Sequence, residues 1–191
     1  QGWRLVLWGL PVTAGVMVVL CATALVDGID DSVLTAAAQS THGAMRITAP
    51  PDSSSVPASI SDQLEGKSWT TRTRRLGVIR AEQRLSVDIV GIEERDTEVF
   101  NPKHWKVYGK WPPNQGVAIG SGLAVALKLE LDDSVIIESD WHSGGQNAQA
   151  YAIEAIVETG LGSADQRSLW MTQARLSTLR GSKLVSEILI N

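Results

Sequence analysis

The chain has 191 residues, a net charge of −4 and 20% charged residues, enough for one domain with a core of its own or two small subdomains. This balance excludes the basic stripe by which nucleic-acid binders meet phosphate. A single cysteine, Cys21, excludes an intrachain disulfide.

Gln1 in the first position, in place of Met, leads us to expect a processed chain or a segment of a longer protein. The stretch Leu5–Val26, LVLWGLPVTAGVMVVLCATALV, carries no charge. As a helix it would span roughly 33 Å, which matches a bilayer core of about 30 Å, and Pro11 and Gly15 are tolerated in such helices. Arg4 precedes the run and Asp27, Asp30 and Asp31 follow it, which puts the N-terminus in the cytoplasm and the rest outside. Trp3 and Trp8 suit the cytoplasmic interface. The run is longer than the apolar stretch of a signal peptide and ends in ALVDG without a small-residue cleavage site. Leu20 occupies the place where a lipoprotein box has a small residue, so Cys21 reads as an apolar residue of the membrane helix. The expected organisation is a transmembrane helix over 1–26, a stalk over 27–43 and an extracytoplasmic domain over 44–191.

Beyond Gly43 a strand is expected over Ala44–Thr48. The proline- and serine-rich loop Ala49–Ser59 and a short helix capped by Ser59 or Ser61 and ending at Gly66 follow. From Ser68 to Glu93 the pattern is that of strands: in RLSVDIVGI, Leu85, Val87 and Ile89 share one side. The segment Asp96–Asn114 reads as irregular. VAIGSGLAVALKLELDDSVII, Val117 to Ile137, reads as strand, glycine-serine-glycine turn, apolar helix, turn and strand. Ser139–Gln149 reads as a hairpin-like loop, with Gly144 and Gly145 suited to positive backbone angles. Strands are expected in AYAIEAIVE, through Tyr151, Ile153, Ala155 and Val157, and in RSLWM. A helix in TQARLSTLRG closes at Gly181, and LVSEILI forms a last strand. The predicted class is α+β, a mixed extracytoplasmic domain behind one long helix.

Catalytic motifs fail on inspection. Ile119 stands where a nucleophile elbow has its first glycine. No lysine follows as in a phosphate loop, and Val125 occupies the third glycine position of a dinucleotide fingerprint. Ser121 is expected instead to cap the helix by accepting a backbone N–H. His42, His104 and His142 lack the paired spacing of zinc ligands. The basic run Arg72, Arg74, Arg75, Arg80 and Arg84 and the acidic run Glu93, Glu94, Asp96 and Glu98 are expected to pair across strands, with a docking face as the alternative. Trp105, Trp111 and Trp141 fall in loops, where tryptophans either anchor a partner or fill a small core.

Four stretches, in order, carry a resemblance: the apolar helix running into HGAMRIT, VDIVGIEERD, YGKWPPNQGVAIGSGLAVALKLELDDSVII, and IEAIVETGLGSADQRSLWMTQARL. Together they make the chain similar to the first membrane helix and periplasmic region of the MacB/FtsX/LolC-type ABC transporter permeases. Asp132 stands where that family has glycine. The resemblance implies two extracytoplasmic subdomains, no catalysis in this chain and no cofactor of its own. ATP would be bound by a partner or fused ATPase, and the long helix would transmit its motion. It further implies a second permease subunit, a location in the cell inner (cytoplasmic) membrane with the bulk of the chain outside, and a lipoprotein, peptide or small hydrophobic substrate. The loop that grips a periplasmic partner in the lipoprotein-extracting branch corresponds to Ser139–Gln149, which is short and lacks the proline- and methionine-bearing hook. The candidate contact residues are therefore Trp141, His142, Gly144 and Gly145, with Trp105 and Trp111 as the second choice. The rival reading is a single-pass anchored binding or assembly subunit without an ATPase.

Overall fold

The computed structural model describes residues 17, 45–48, 54–93 and 105–190. The predicted membrane helix Leu5–Val26 (Met17 apart) and the stalk lie outside the described residues, as do Cys21, His42, His104, Glu94, Asp96 and Glu98. Among the described residues no helix is long and apolar enough to cross a membrane.

The elements run β1 (Met45–Thr48), α1 (Ala58–Gln63), β2 (Trp69–Arg80), β3 (Arg84–Ile92), β4 (Lys106–Gly109), β5 (Val117–Gly120), α2 (Ser121–Leu127), β6 (Ser134–Asp140), β7 (Gln146–Glu158), α3 (Gly162–Arg167), β8 (Ser168–Thr172), α4 (Gln173–Arg180) and β9 (Glu187–Ile190). Two long strands organise them. β2 pairs with β9 through Trp69–Arg72, with β3 from Thr73 onward, and with β6 only through Val78–Arg80. β7 pairs with β6 through its first half and with β4 and β5 through its second. The pairings β2–β3–β8–β5–β7–β6 return to β2, so six strands close on themselves. Closure removes the open edges that would recruit other strands.

The main apolar cluster lies on one side of these strands. It includes Ile79, Val87, Ile89, Ile119, Ile137, Ile153 and Leu169, with Leu123 and Leu127 from α2 and Leu176 and Leu179 from α4. Each such side chain contributes about 1.5–3 kcal/mol on leaving water. A second cluster, Val90, Ile92, Ala118, Ala155, Val157 and Trp170, is covered by Trp105, Val107 and Trp111. A third sits beneath β1, β9 and α1, around Leu64, Val185, Ile188 and Ile190.

The strand-like reading of Ser68–Glu93 holds, as a hairpin with its turn at Ala81–Gln83. Several expectations need correcting. The irregular stretch before Asn114 contains β4, and α3 was not foreseen. The four odd residues of AYAIEAIVE do not share one face. Tyr151 and Ile153 enter the main cluster and Ala155 and Val157 the second, because the register against β5 shifts between Val117 and Ala118. Such a shift turns the following side chains to the opposite face. Neither Ser59 nor Ser61 caps α1, whose N-cap is Pro57. Likewise the N-cap of α2 is Gly120 and makes no side-chain cap bond; Ser121 is already helical. The arginines do pair across strands: Arg84 pairs with Glu138 of β6 and Arg74 with Glu187 of β9 at 3.6 Å. Asp132 has φ +69, the left-handed geometry for which glycine is the usual choice and which aspartate tolerates better than most residues.

Candidate functional site

The glycine-serine-glycine turn is a packing device. A Cβ on Gly120 would lie 2.2 Å from the carbonyl oxygen of Asp165, so only glycine lets β5 hand over to α2 against α3. The Asp165 carboxylate in turn accepts from the Thr159 N–H and hydroxyl, both at 2.7 Å. Ser121 is half-buried at the mouth of a shallow hollow with Val125 and Gln166, and no acid–base partner for its hydroxyl stands among the described residues. No group of three His, Cys, Asp or Glu side chains able to hold a metal occurs among the described residues.

The β6–β7 hairpin is tighter than its sequence suggested. Asp140 pairs with Gln146, so the loop is Trp141–Gly145. The Trp141 N–H donates to Gly145 O at 3.0 Å and the Gly144 N–H to Trp141 O at 3.0 Å. Gly144 and Gly145 take φ +97 and +89. The tip does not project freely; it is docked on the end of α4. The His142 N–H donates to Arg180 O at 3.0 Å, and the Asn147 amide donates to Leu179 O at 2.8 Å. Those are carbonyls that a helix C-terminus leaves without intrahelical partners. The Trp141 ring lies so close over Gly181 that a Cβ there would be 2.3 Å from Cζ2. Gly181 itself has φ +75, the left-handed cap that ends α4. Of the four candidate residues at the tip, Trp141 is spent on the fold, His142 is exposed with its ring 5.9 Å from that of Trp141, and the two glycines are exposed turn residues.

The second pair of candidates lies elsewhere. Trp105 and Trp111 meet Trp170 of β8 in a three-ring cluster with centroid separations of 5.5, 5.5 and 6.0 Å, the spacing of favourable edge and tilted ring contacts. Trp170 is buried; Trp105 and Trp111 are half-buried. The peptide bond Trp111–Pro112 is cis. One side chain pins the loop that follows: Glu154 of β7 accepts from the Asn114, Gln115 and Gly116 N–H groups at 2.6, 3.0 and 2.7 Å. Burial pushes the Glu154 carboxyl up, but these three amides and the nearby Lys110 outweigh burial and hold it below its ordinary value of 4.5. Arg175 of α4 also reaches the loop, donating to Gln115 Oε1 at 3.3 Å. Between the loop and the first turn of α4 lies a cleft of about 540 Å³, walled by Trp111, Pro112, Pro113, Ile92 and Ala174. Lys110 and Glu93 stand on its rim. Trp170, Glu154 and this cleft were missed by the sequence reading. The signal for Glu154 would have been an acidic residue at a half-buried position inside an otherwise apolar strand.

No family model and no curated protein matches the chain. Among solved structures it is similar to the extracellular domain of the noncanonic ABC-type transporter YknZ from Gram-positive bacteria. The TM-score is 0.53 and the identity 17%, over 76% of this chain and 81% of that one. The likeness is one of fold: the described mixed α/β architecture resembles that extracellular domain.

Proposed function

We propose that the chain is the extracytoplasmic part of a permease subunit of an ABC transporter, of the MacB/FtsX/LolC kind. In this reading Leu5–Val26 anchors it in the membrane and the domain from residue 44 onward lies outside. A partner or fused ATPase supplies nucleotide hydrolysis, and a second permease subunit completes the pair. The chain itself carries no catalysis and moves with its partners to release or export a lipoprotein, a peptide or a small hydrophobic molecule. The observation that carries the reading is the shared fold over four-fifths of an ABC-type extracellular domain, in a chain that also holds an uncharged run long enough to span a bilayer. Contact with an extracytoplasmic partner is assigned to the preformed cleft beside Trp111 and not to the hairpin tip, whose tryptophan is engaged with α4.

The test is purification of the tagged full chain from native membranes. Co-purification of an ATPase whose turnover falls when the chain is removed supports the reading. Recovery of the chain in membranes with no associated nucleotide hydrolysis would favour an anchored assembly subunit. A protease acting on inside-out vesicles should leave the hairpin tip intact; cleavage there would reverse the topology.

A further inference from the structure

The outward face of the strand ring is covered at one end and bare at the other. On β3, Val87 and Ile89 turn into the main cluster, so the residues between them turn outward. Val90 and Ile92 are covered there by Trp105 and Trp111. Ser86 and Arg84, further back on the same face, are exposed. The register extends this bare part over four strands. Arg80 lies opposite Arg84 and Ile136, Val78 opposite Ser86 and Glu138, and Leu76 opposite Asp88. On β7, Ala150 lies opposite Ile136 and Ala148 opposite Glu138. Ile79 and Ile137, which alternate with these residues, are fully buried on the other side. Leu76 is 68% exposed and Ile136 39%; both alanines are exposed and Val78 is half-buried. The five adjoin along and across the strands, and a contiguous apolar patch of this kind marks an interaction surface.

The charge of this face changes sign along the strands. At one end Arg80 and Arg84 stand opposite each other, an unfavourable like-charge pair. Glu138 offsets Arg84, whereas Arg80 is exposed and has no ion pair among the described residues. Four residues along, about 14 Å away, the face is acidic. Asp88 lies opposite Leu76 on β3. Asp140 lies two residues beyond Glu138 on β6, toward the same end because β6 runs antiparallel to β2. Neither carboxylate has an ion pair among the described residues. The face is therefore cationic at one end, apolar in the middle and anionic at the other.

We propose that this face docks a second copy of the chain about a two-fold axis that lies across the strands, over Val78. Such an axis reverses the strand direction and lays the cationic end of one copy on the anionic end of the other. Arg80 then lies over Leu76 of the second copy, its stem on the leucine and its guanidinium between Asp88 and Asp140, which flank that leucine on the neighbouring strands. Val78 meets its own counterpart, and the small Ala148 and Ala150 let two sheets approach to the usual spacing of about 10 Å. Because the contact is isologous, every pairing is made twice. A partner of uniform charge would match one end of the face and be repelled by the other. Within the proposed permease the second subunit is then a copy of the first; that placement alone rests on the transporter reading, which ATPase association tests and self-association does not.

Sedimentation velocity of the full chain in detergent micelles, over a range of protein concentrations, tests the contact. The wild-type chain is expected to dimerise. Leu76→Glu, Arg80→Glu and Asp140→Arg, all at exposed positions, should each weaken the dimer about tenfold or more, since each sets like charges against each other or buries one on the apolar patch. The double variant Arg80→Glu with Asp140→Arg should recover the dimer to within about threefold of wild type, because the reversed charges meet again across the axis. Within one chain the two side chains stand on different strands about 14 Å apart along the face, so the recovery cannot arise inside a single copy, and misfolding would not be reversed by a second substitution. A wild-type chain that stays monomeric at about 100 μM overturns the proposal and leaves the face to a different protein. A dimer that Leu76→Glu does not weaken is held elsewhere, as by the membrane helix, and overturns it too. A double variant no better than the single ones refutes the two-fold geometry.

Discussion

Trp141 and Trp111 look alike in the sequence, each a tryptophan in a polar loop near glycine or proline, yet the structure uses them in opposite ways. Trp141 sits at a hairpin tip and closes inward over Gly181, so that the tip becomes the C-terminal cap of α4. Trp111 lies in a loop that is itself held from behind, by Glu154, and turns one part of its ring to Trp105 and Trp170 and another to an open cleft. A loop whose aromatic residue supplies the docking energy has little left for a partner. One that is fixed by hydrogen bonds elsewhere presents its aromatic residue already ordered, and ordering is a large part of what association costs.

The most severe way to break this contrast is to remove the foundation of the Trp111 side. Trp170→Ala takes away a buried ring that two others pack on, and a loss of about 3–5 kcal/mol in unfolding free energy is expected. Chemical denaturation would show it as a lower midpoint, and a loss below about 1 kcal/mol would mean that Trp105 and Trp111 do not depend on Trp170.

Glu154 separates fold from loop. Glu154→Ala leaves three backbone amides without their charged acceptor, two of them exposed, and should cost about 2 kcal/mol at neutral pH. The sign of the pH dependence follows from the depressed folded-state pKa. The carboxylate contributes its stability above the unfolded value and loses it as pH falls through the lower folded value. The difference in stability between wild type and Glu154→Ala should therefore shrink in acid, beginning near the ordinary carboxylate pKa. A difference that stays constant from neutrality down to about pH 3 would refute the assignment.

How far all this could be read from the sequence depends on the range of the interaction. Alternation marked β3 and most of β7, a strand-like pattern marked β2, and Thr172 and Gly181 marked the ends of α4, because each is a local signal. Thr172 indeed accepts from the Arg175 N–H at 3.3 Å, and Gly181 is left-handed. Local signals misled where two residues compete for one role, as when Gly120 took the cap position assigned to Ser121. What stayed hidden is non-local. Nothing near Trp141 announces that its ring will lie on Gly181, and nothing near Asn114 points to Glu154. The three tryptophans of the cluster are scattered along the chain, so the choice between filling a core and anchoring a partner could not be made before the strands were ordered. Even the alternation in β7 was misjudged at Ala155, since β7 carries one extra residue between Ile153 and Ala155 where it pairs with β5.

On the Trp141 side the expected losses are smaller. Trp141→Ala removes a half-buried ring from one helix end and should cost about 1–2 kcal/mol. Asn147→Ala removes one side-chain donor to Leu179 O and should cost about 1 kcal/mol. Amide hydrogen exchange localises both: the last turn of α4 should lose protection while β8 keeps it. If exchange rises equally throughout, the tip does not act as a local cap.

His142→Ala has the smallest expected effect and draws the sharpest line between the two loops. The contact His142 makes with α4 comes from its backbone N–H, which alanine retains, and its side chain is exposed. Stability should therefore change by less than about 0.5 kcal/mol. That silence makes the variant a clean probe of recognition. If the tip contributes nothing to a partner, transport or partner binding by the permease proposed above should be unaffected by His142→Ala, whereas Trp111→Ala should reduce it even when the protein remains folded and inserted. The opposite result, a stable His142→Ala chain that no longer engages its partner beside a functional Trp111→Ala chain, would return the contact site to the hairpin tip. It would also show that docking on α4 serves to hold the imidazole outward, with the Trp141 ring as its support and not as the contact itself.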